Sequence, residues 1–315
     1  MTDAVEIVSD LVKIPSVSPF GRNETERRER FERCREVLAY LEEFLQKQGA
    51  QTEQLVFEGG HDKWWYPVPN LYAELTIGDR KAAGHKFLCY MGHIDVVPVG
   101  EEKLWRRPPF SGQVDEGFVW GRGATDMKGS VGAWMSALEK LKAGKGDGVN
   151  LTIGTLITGD EEWAAVNGSD KVLADLQEIL LNPPRFLRRH PDYAKAREVI
   201  VRANMETASE PYYSEPGSLA QSALEAIRAS LRIEAQTDGS GGTTDGRFIG
   251  RYFPRAQIIE LGTPEKGGIV DGKPRSDYGR RGGMHQIDER AAQRDLRKVS
   301  EIYALTLKNF AMKEY

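Results

Sequence analysis

The chain has 315 residues, with 43 basic and 47 acidic side chains and a formal charge of -4. Proteins that bind nucleic acids or anionic membranes through electrostatics need a clear basic excess, which this composition lacks. With 40% apolar and 29% charged residues, the chain has the composition of an ordinary globular protein. We therefore expect neither a nucleic-acid partner nor a membrane partner.

The cysteine count and the apolar segments exclude further classes of protein. The two cysteines, Cys34 and Cys89, are too few for a disulfide framework or a cysteine-based zinc site. Any metal must therefore be held by histidines and carboxylates. The first residues lack the basic region and apolar run of a secretory signal, and no stretch approaches the ~20 apolar residues of a membrane-spanning helix. These features predict a cytoplasmic protein.

The first half of the chain alternates strand and helix patterns. Asn23 followed by Glu26 forms a capping-box start, and apolar residues at helical spacing continue to Gly49. Beyond it the pattern predicts strands over residues 71–77, 87–91 and 151–158, and helices over residues 129–142 and 169–181. This alternation predicts an α/β fold, with a mixed, mostly parallel central sheet and helices on both faces.

The second half of the chain has a less regular pattern. It predicts a strand over residues 198–205, a helix over 217–231, a strand over 257–261 and a helix over 288–310. Residues 262–283 are rich in glycine and charge and are unusually long for a connection. We interpret residues 1–315 as one domain.

His93 and Asp95 stand two positions apart, directly after an apolar run that ends at Tyr90. Alternate residues of an extended chain point the same way, so both side chains would lie on one face. Such a pair suits a metal-binding histidine whose other ring nitrogen is held by a carboxylate. A structural, hydrogen-bonded histidine is the open alternative.

Asp126 lies within the glycine-flanked segment Gly121–Gly129, just before a predicted helix. The segment is not a dinucleotide-binding fingerprint, because Asp126 occupies the place of the third glycine. Flanking glycines allow a close approach of the backbone, and the two oxygens of a carboxylate can bridge two cations about 3.5–4 Å apart. The alternative is that Asp126 only caps the helix.

Three adjacent acids, Asp160, Glu161 and Glu162, follow the predicted strand 151–158. Acids that repel one another at the end of a strand, where α/β sheets place ligand sites, favour a bound cation. One glutamate could bind a metal while its neighbour acts as a base on water, although a solvated acidic turn is the alternative. His285 precedes the last predicted helix, and a lone histidine is more often structural.

In this order, these residues resemble those of the co-catalytic zinc amidohydrolase and carboxypeptidase family, which includes aminoacylases, carboxypeptidases and a succinyl-diaminopimelate desuccinylase branch. The resemblance is closest to the desuccinylase branch. It covers about residues 5–180 and 217–310. The motifs that carry it are Gly92-His-Ile-Asp-Val-Val-Pro-Val-Gly100, Gly121-Arg-Gly-Ala-Thr-Asp-Met-Lys-Gly129, Thr158-Gly-Asp-Glu-Glu162 and Ser240-Gly-Gly-Thr-Thr-Asp-Gly-Arg-Phe-Ile249.

The resemblance implies a zinc-binding role for four side chains. Asp126 would bridge two zinc ions, His93 would bind one of them, and Glu162 with His285 would bind the other. Co²⁺ would be able to substitute for zinc. The family also has a cis peptide after its bridging aspartate, which implies a cis bond between Asp126 and Met127.

The resemblance also implies the catalytic and substrate contacts. Glu161 would be the general base that takes a proton from water and returns it to the leaving amine. Asp95 would orient His93. Thr243 and Thr244 would lie near the carboxylates of an N-acyl amino acid substrate.

The chain departs from the family at its last zinc ligand. Relatives carry this acid in a Gly-Glu-Pro-Thr-like motif at the end of a strand, and no such motif occurs here. Glu206 is the first candidate to replace it, and Glu210 and Glu215 are the others. If none binds, His93 and the bridging carboxylate would hold their ion weakly.

Two further departures concern the length of connections. Relatives insert an αβ lid domain, whereas residues 182–216 leave room only for a shortened connector, so we expect the lid to be absent or vestigial. A monomer is predicted, because the lid supplies the family's dimer surface. The loop 262–283, with its three arginines, is longer than in relatives. It would either recognise an anionic substrate or be merely mobile; the arginines are Arg275, Arg280 and Arg281.

The leading hypothesis is therefore a zinc-dependent amidohydrolase that cleaves N-succinyl-LL-2,6-diaminopimelate, a step of diaminopimelate and lysine biosynthesis. One rival is an aminopeptidase or carboxypeptidase with an open site. A second rival is a relative that binds metal but has lost turnover together with its lid.

Overall fold

The computed structural model describes residues 1–18, 23–59, 66–144, 148–163, 165–181, 214–237, 246–253, 255–263, 269–270, 273–274 and 282–313. The helices in these residues are α1 (Ala4–Lys13), α2 (Glu24–Lys47), α3 (Lys128–Ala143), α4 (Lys171–Leu181), α5 (Ser218–Leu231), α6 (Gly246–Tyr252) and α7 (Gln293–Met312). The strands are β1 (Gln51–Gly59), β2 (Tyr66–Ile77), β3 (Lys86–His93), β4 (Val114–Asp115), β5 (Phe118–Trp120), β6 (Leu151–Thr158), β7 (Ile269–Val270), β8 (Lys273–Pro274) and β9 (Arg290–Ala292).

The central sheet contains four of these strands in the order β1-β2-β6-β3. β3 runs parallel to β6, whereas β1 with β2 and β2 with β6 are antiparallel. The sheet is mixed, as predicted, but antiparallel pairings outnumber the parallel one among the described strands. The short link between β1 and β2 accounts for one of the two antiparallel pairings, because parallel strands need a long crossover connection.

Helices cover both faces of the central sheet. Leu71 and Ile153 belong to a large buried cluster with side chains of α1, α2, α3 and α7, whereas Tyr72 and Leu156 belong to a smaller cluster with side chains of α4 and α6. Neighbouring residues of a strand point to opposite faces, which is why Leu71 and Tyr72 contribute to different clusters. The predicted α/β fold with helices on both faces is confirmed.

A second, antiparallel sheet changes the predicted last helix. Its strands lie in the order β4-β5-β9, and Phe118 pairs with Ala292 while Trp120 pairs with Arg290. Residues 290–292 are therefore a strand, and α7 begins at Gln293 instead of at residue 288. The pairing brings the segment before α7 beside the segment that follows β5.

The predicted strand over residues 257–261 is absent from the structure. The side-chain oxygen of Gln257 accepts a hydrogen bond from the backbone N–H of Leu219 at 2.9 Å, and Ser214 Oγ accepts one from the N–H of Ile258 at 2.9 Å. These bonds tie the segment to the start of α5, so the N–H of Ile258 is not available to a strand ladder. The sequence pattern also does not predict α1, β1 or α6.

Several predictions lie outside the described residues. They are the strand 198–205, most of the connector 182–216, Thr243 with Thr244, and the arginines Arg275, Arg280 and Arg281 of the loop 262–283. In the part of the chain that is described, no helix combines the length and the apolar character required to cross a membrane.

The core cluster makes a direct prediction about stability. Leu138 in α3 has no exposed surface, so we expect Leu138→Ala to lower the free energy of unfolding by about 2–5 kcal/mol through lost contacts and a cavity. Leu104 is 44% exposed, and Leu104→Ala should change the same free energy by less than about 0.5 kcal/mol. Urea denaturation measures the free energy of unfolding of both variants. Equal losses would contradict the packing described here.

Candidate metal centre

The ends of two parallel strands place one half of the site. His93 is the last residue of β3 and pairs with Thr158, the last residue of β6. Asp95 follows β3, and the acids Glu161 and Glu162 lie in the turn that follows β6. The carboxyl ends of neighbouring parallel strands meet at one edge of the sheet, which is where open α/β sheets bind ligands.

The second sheet places the other half of the site. Asp126 lies between β5 and α3, and its peptide bond to Met127 is cis, as the resemblance implies. His285 lies in the turn before β9 and has a positive φ of 60°. Because β9 pairs with β5, the turn that carries His285 comes to lie beside the loop that carries Asp126.

Two imidazoles face the two oxygens of the Asp126 carboxylate. His93 Nε2 lies 3.2 Å from Oδ1, and His285 Nε2 lies 3.2 Å from Oδ2. His285 Nε2 is also 3.0 Å from the carboxylate of Glu162, and His93 Nε2 is 3.6 Å from Oε2 of Glu161. These five predicted site residues therefore meet around one carboxylate, although 192 positions separate the first from the last.

Asp95 holds both His93 and the acidic turn. Its backbone carbonyl accepts a hydrogen bond from His93 Nδ1 at 3.0 Å, while its carboxylate lies 3.5 Å from the same nitrogen. The two carboxylate oxygens accept hydrogen bonds from the backbone N–H groups of Glu161 and Glu162, both at 3.1 Å. The Asp95 side chain is fully buried, so it fixes the position of the two glutamates relative to His93.

The protonation of the site reflects this crowding of carboxylates. Burial lowers the pKa of His93, but hydrogen bonds with Asp126 and Asp95 raise it well above its usual value. Hydrogen bonds with Asp126 and Glu162 raise the pKa of His285 to about 10. Burial raises the pKa of Asp126, but the two histidines hold it well below its usual range. Burial also raises the pKa of Glu162. The carboxylates thus favour positive charge at both imidazoles.

The hydrogen-bonding pattern suits a divalent metal. A backbone carbonyl only accepts hydrogen bonds, so His93 Nδ1 carries the ring proton and Nε2 of the neutral ring presents a lone pair. That lone pair faces Asp126 Oδ1, which is also an acceptor, and two acceptors 3.2 Å apart require a proton or a cation between them. Ligand atoms of His93, Asp126 and Glu162 lie within 4.8 Å of one another. Imidazole nitrogens with carboxylate oxygens form a donor set that zinc binds well.

Of the remaining predicted ligand and substrate contacts, the structure describes only Glu215. Glu215 is exposed, and it is not part of the metal-binding group found among the described residues. Glu206, Glu210, Thr243 and Thr244 lie outside those residues. The last ligand of the ion that His93 would bind, and the substrate contacts of the two threonines, therefore stay predictions.

Sequence reasoning missed Glu289, which lies within the site. The side chain is fully buried, and its Oε1 accepts a hydrogen bond from the backbone N–H of Asp126 at 3.3 Å. The pattern assigns Glu289 to the last helix, although it precedes that helix. An acid four positions after His285, together with Arg122 inside the glycine-flanked segment, was the signal available in the sequence.

Sequence comparisons relate this chain to a known family and to named enzymes. The model of peptidase family M20/M25/M40 matches residues 89–309. Succinyl-diaminopimelate desuccinylase of Parvibaculum lavamentivorans is 35% identical over 176 residues, which are 55% of this chain and 38% of that protein. The enzyme of the same name from Methylocella silvestris is 36% identical over 170 residues, which are 54% of this chain and 38% of that protein. The match thus spans less than half the length of these relatives.

Solved structures agree on the fold. The M20 family metallo-carboxypeptidase Sso-CP2 of Sulfolobus solfataricus superimposes with a TM-score of 0.68 at 15% identity, covering 99% of this chain and 100% of that chain. Human carnosine dipeptidase 1 gives a TM-score of 0.67 at 15% identity, covering 98% of this chain and 96% of that chain. Identities this low establish the fold alone.

The family match extends over most of the chain and contains every residue of the cluster around Asp126. The chain therefore belongs to peptidase family M20/M25/M40, a family of metal-dependent hydrolases.

Proposed function

We propose that the chain hydrolyses an N-acyl amide in a metal-dependent reaction, and that its substrate is N-succinyl-LL-2,6-diaminopimelate, cleaved to succinate and LL-diaminopimelate. The observation that carries the hydrolase proposal is the meeting of two imidazoles at one carboxylate beside Glu161 and Glu162. The names of the curated relatives support the choice of substrate. Because the match covers 38% of these relatives, the activity of the whole protein is part of the proposal.

Zinc is the proposed metal, with two ions expected and Co²⁺ as a substitute. His93, Asp126, Glu162 and His285 would hold the ions, because ligand atoms of His93, Asp126 and Glu162 lie within 4.8 Å of one another and His285 Nε2 lies 3.2 Å from the Asp126 carboxylate. When bound, zinc polarises a carbonyl oxygen and lowers the pKa of water.

Glu161 is the proposed general base. Its side chain is 21% exposed and its Oε2 lies 3.6 Å from His93 Nε2, so it borders the cluster and remains accessible to water. Asp95 holds its backbone through a hydrogen bond of 3.1 Å. Glu161 accepts a proton from the attacking water as the C–O bond forms, and it returns this proton to the amine nitrogen as the C–N bond breaks.

The finer parts of the proposal concern the substrate and the assembly. Thr243 and Thr244 are proposed to contact the carboxylates of the substrate. A monomer is proposed, because the connector over residues 182–216 is too short for the family's dimer-forming lid.

Zinc should stabilise the folded protein. A ligand that binds only the native state at 100 times its Kd adds about 2.7 kcal/mol to the free energy of unfolding. We expect Asp126→Ala to lose this increase, because it removes the carboxylate that faces both histidines. The control is Asp79→Ala, at an exposed aspartate, which should keep the full increase. Denaturation with and without zinc measures the effect, and a full increase in Asp126→Ala would contradict the assigned ligands.

Glu161→Gln should separate catalysis from metal binding. We expect kcat on N-succinyl-LL-2,6-diaminopimelate to fall by about 10²–10⁴-fold, because an amide cannot shuttle the proton. Zinc affinity should stay unchanged, since Glu161 is not among the proposed ligands. Glu102→Gln, at an exposed residue, is the matched control and should retain full activity. An active Glu161→Gln variant would exclude the proposed base.

A substrate panel tests the proposed specificity. We expect kcat/KM for N-succinyl-LL-2,6-diaminopimelate to exceed that for aminoacyl amides and dipeptides. Hydrolysis of peptides alone would replace the desuccinylase proposal by an open peptide hydrolase. Stoichiometric zinc with no hydrolysis of any substrate, in the unmodified chain and in Glu161→Gln alike, would identify a metal-binding relative without turnover.

A further inference from the structure

Glu289 makes an unusual set of contacts for a fully buried carboxylate. One oxygen, Oε1, accepts hydrogen bonds from three backbone N–H groups, those of Gly123 at 3.1 Å, Thr125 at 3.1 Å and Asp126 at 3.3 Å. Residues 123–126 form the loop that ends in the proposed bridging carboxylate. Without Glu289 the N–H groups of Gly123 and Thr125 would be buried and unpaired, and that of Asp126 would lose its bond, so the loop depends on this side chain for its conformation.

The other oxygen of Glu289 pairs with Arg122, which extends the contacts to the turn of His285. Arg122 Nη1 donates to Glu289 Oε2 and to the backbone carbonyl of Gln286 at 3.3 Å, and Nη2 donates to the carbonyl of His285 at 3.5 Å. The backbone carbonyl of Glu289 also accepts a hydrogen bond from the N–H of Gly121 at 2.8 Å. One buried ion pair thus joins the loop of Asp126 to the turn of His285.

The location of this ion pair indicates that it holds the loop of Asp126 and the turn of His285 in their relative positions. Both side chains are almost completely buried, and the loss of water around two buried charges offsets much of their attraction, so such a pair is a poor source of net stability. Its hydrogen bonds go to the two backbone segments that must be aligned for His285 to face Asp126. Neither Glu289 nor Arg122 is among the ligands proposed for the metal.

We infer that Glu289, with Arg122, is a positioning residue for the metal centre. The Glu289 carboxylate fixes loop 123–126 so that the oxygens of Asp126 face His93 and His285. Arg122 holds the turn of His285 in register with that loop. This inference rests on the metal-binding part of the proposed function, and it does not depend on the identity of the substrate.

Zinc affinity measured by competition with a chelating dye tests the inference without an activity assay. We expect Glu289→Gln to weaken zinc binding by about 10- to 100-fold, the usual effect of removing a group that orients metal ligands. The glutamine keeps the shape of the side chain but loses its charge and presents N–H donors to the loop or to Arg122. Arg122→Lys keeps the positive charge and loses the forked contacts, so its affinity should fall by a smaller factor.

The visible absorption of Co²⁺ gives a second measurement. The spectrum depends on the arrangement of ligands, so we expect the Glu289→Gln spectrum to differ from that of the unmodified chain. Lys86→Met is the control for a general loss of stability. Lys86 is also buried, and its Nζ donates to the carbonyl of Phe310 at 2.7 Å, but it lies at the opposite end of β3 from His93. Lys86→Met should lower the unfolding temperature and leave zinc affinity and the Co²⁺ spectrum unchanged.

The outcomes separate this inference from the proposed function. Normal zinc affinity and an unchanged Co²⁺ spectrum in Glu289→Gln, with tight binding by the unmodified chain, would overturn only the inference. The same holds if Lys86→Met weakens zinc binding as much as Glu289→Gln does. If Glu289→Gln does not fold, Arg122→Lys with unchanged affinity and spectrum overturns the inference. An unmodified chain that binds no zinc overturns both.

Discussion

The site depends on one electrostatic constraint, which is the approach of two imidazole nitrogens to the two oxygens of Asp126. Lone pairs at these distances repel one another unless a positive charge lies between them. Hydrogen bonds with the surrounding carboxylates raise the pKa of His93, despite its burial, and of His285, which favours a positive charge at both imidazoles. A divalent metal supplies it as well, and the surrounding Glu161 and Glu162 add to the attraction for a cation.

Two buried carboxylates hold this arrangement, and they act in the same way. The Asp95 carboxylate accepts hydrogen bonds from the backbone N–H groups of Glu161 and Glu162. The Glu289 carboxylate accepts hydrogen bonds from backbone N–H groups of the loop that leads to Asp126. Each carboxylate uses charge-assisted hydrogen bonds, which are stronger than neutral ones, to fix a turn that carries a candidate ligand or base. The pairing of β3 with β6 brings His93 beside the turn of Glu161 and Glu162, and the pairing of β5 with β9 brings the loop of Asp126 beside the turn of His285.

The sequence predicts the candidate metal ligands better than the residues that hold those ligands in place. His93 and Glu162 follow apolar runs, and Asp126 lies in a glycine-flanked segment, so residue type and local pattern single out these side chains as candidates for metal binding. The contact of Glu289 with Gly123 joins residues 166 positions apart and depends on β9, whose three residues are too few to show a strand period. The antiparallel pairings of the central sheet and the missing strand at 257–261 likewise follow from tertiary contacts that no local pattern records.

The most direct test is the position of zinc in crystals of the chain grown with the ion, measured by anomalous scattering at the zinc absorption edge. The account predicts two zinc peaks, each within about 2.0–2.2 Å of one oxygen of Asp126. One peak should lie between Oδ1 and His93 Nε2, and the other between Oδ2, His285 Nε2 and Glu162. Well-ordered zinc bound elsewhere, with no peak in contact with Asp126, would contradict it.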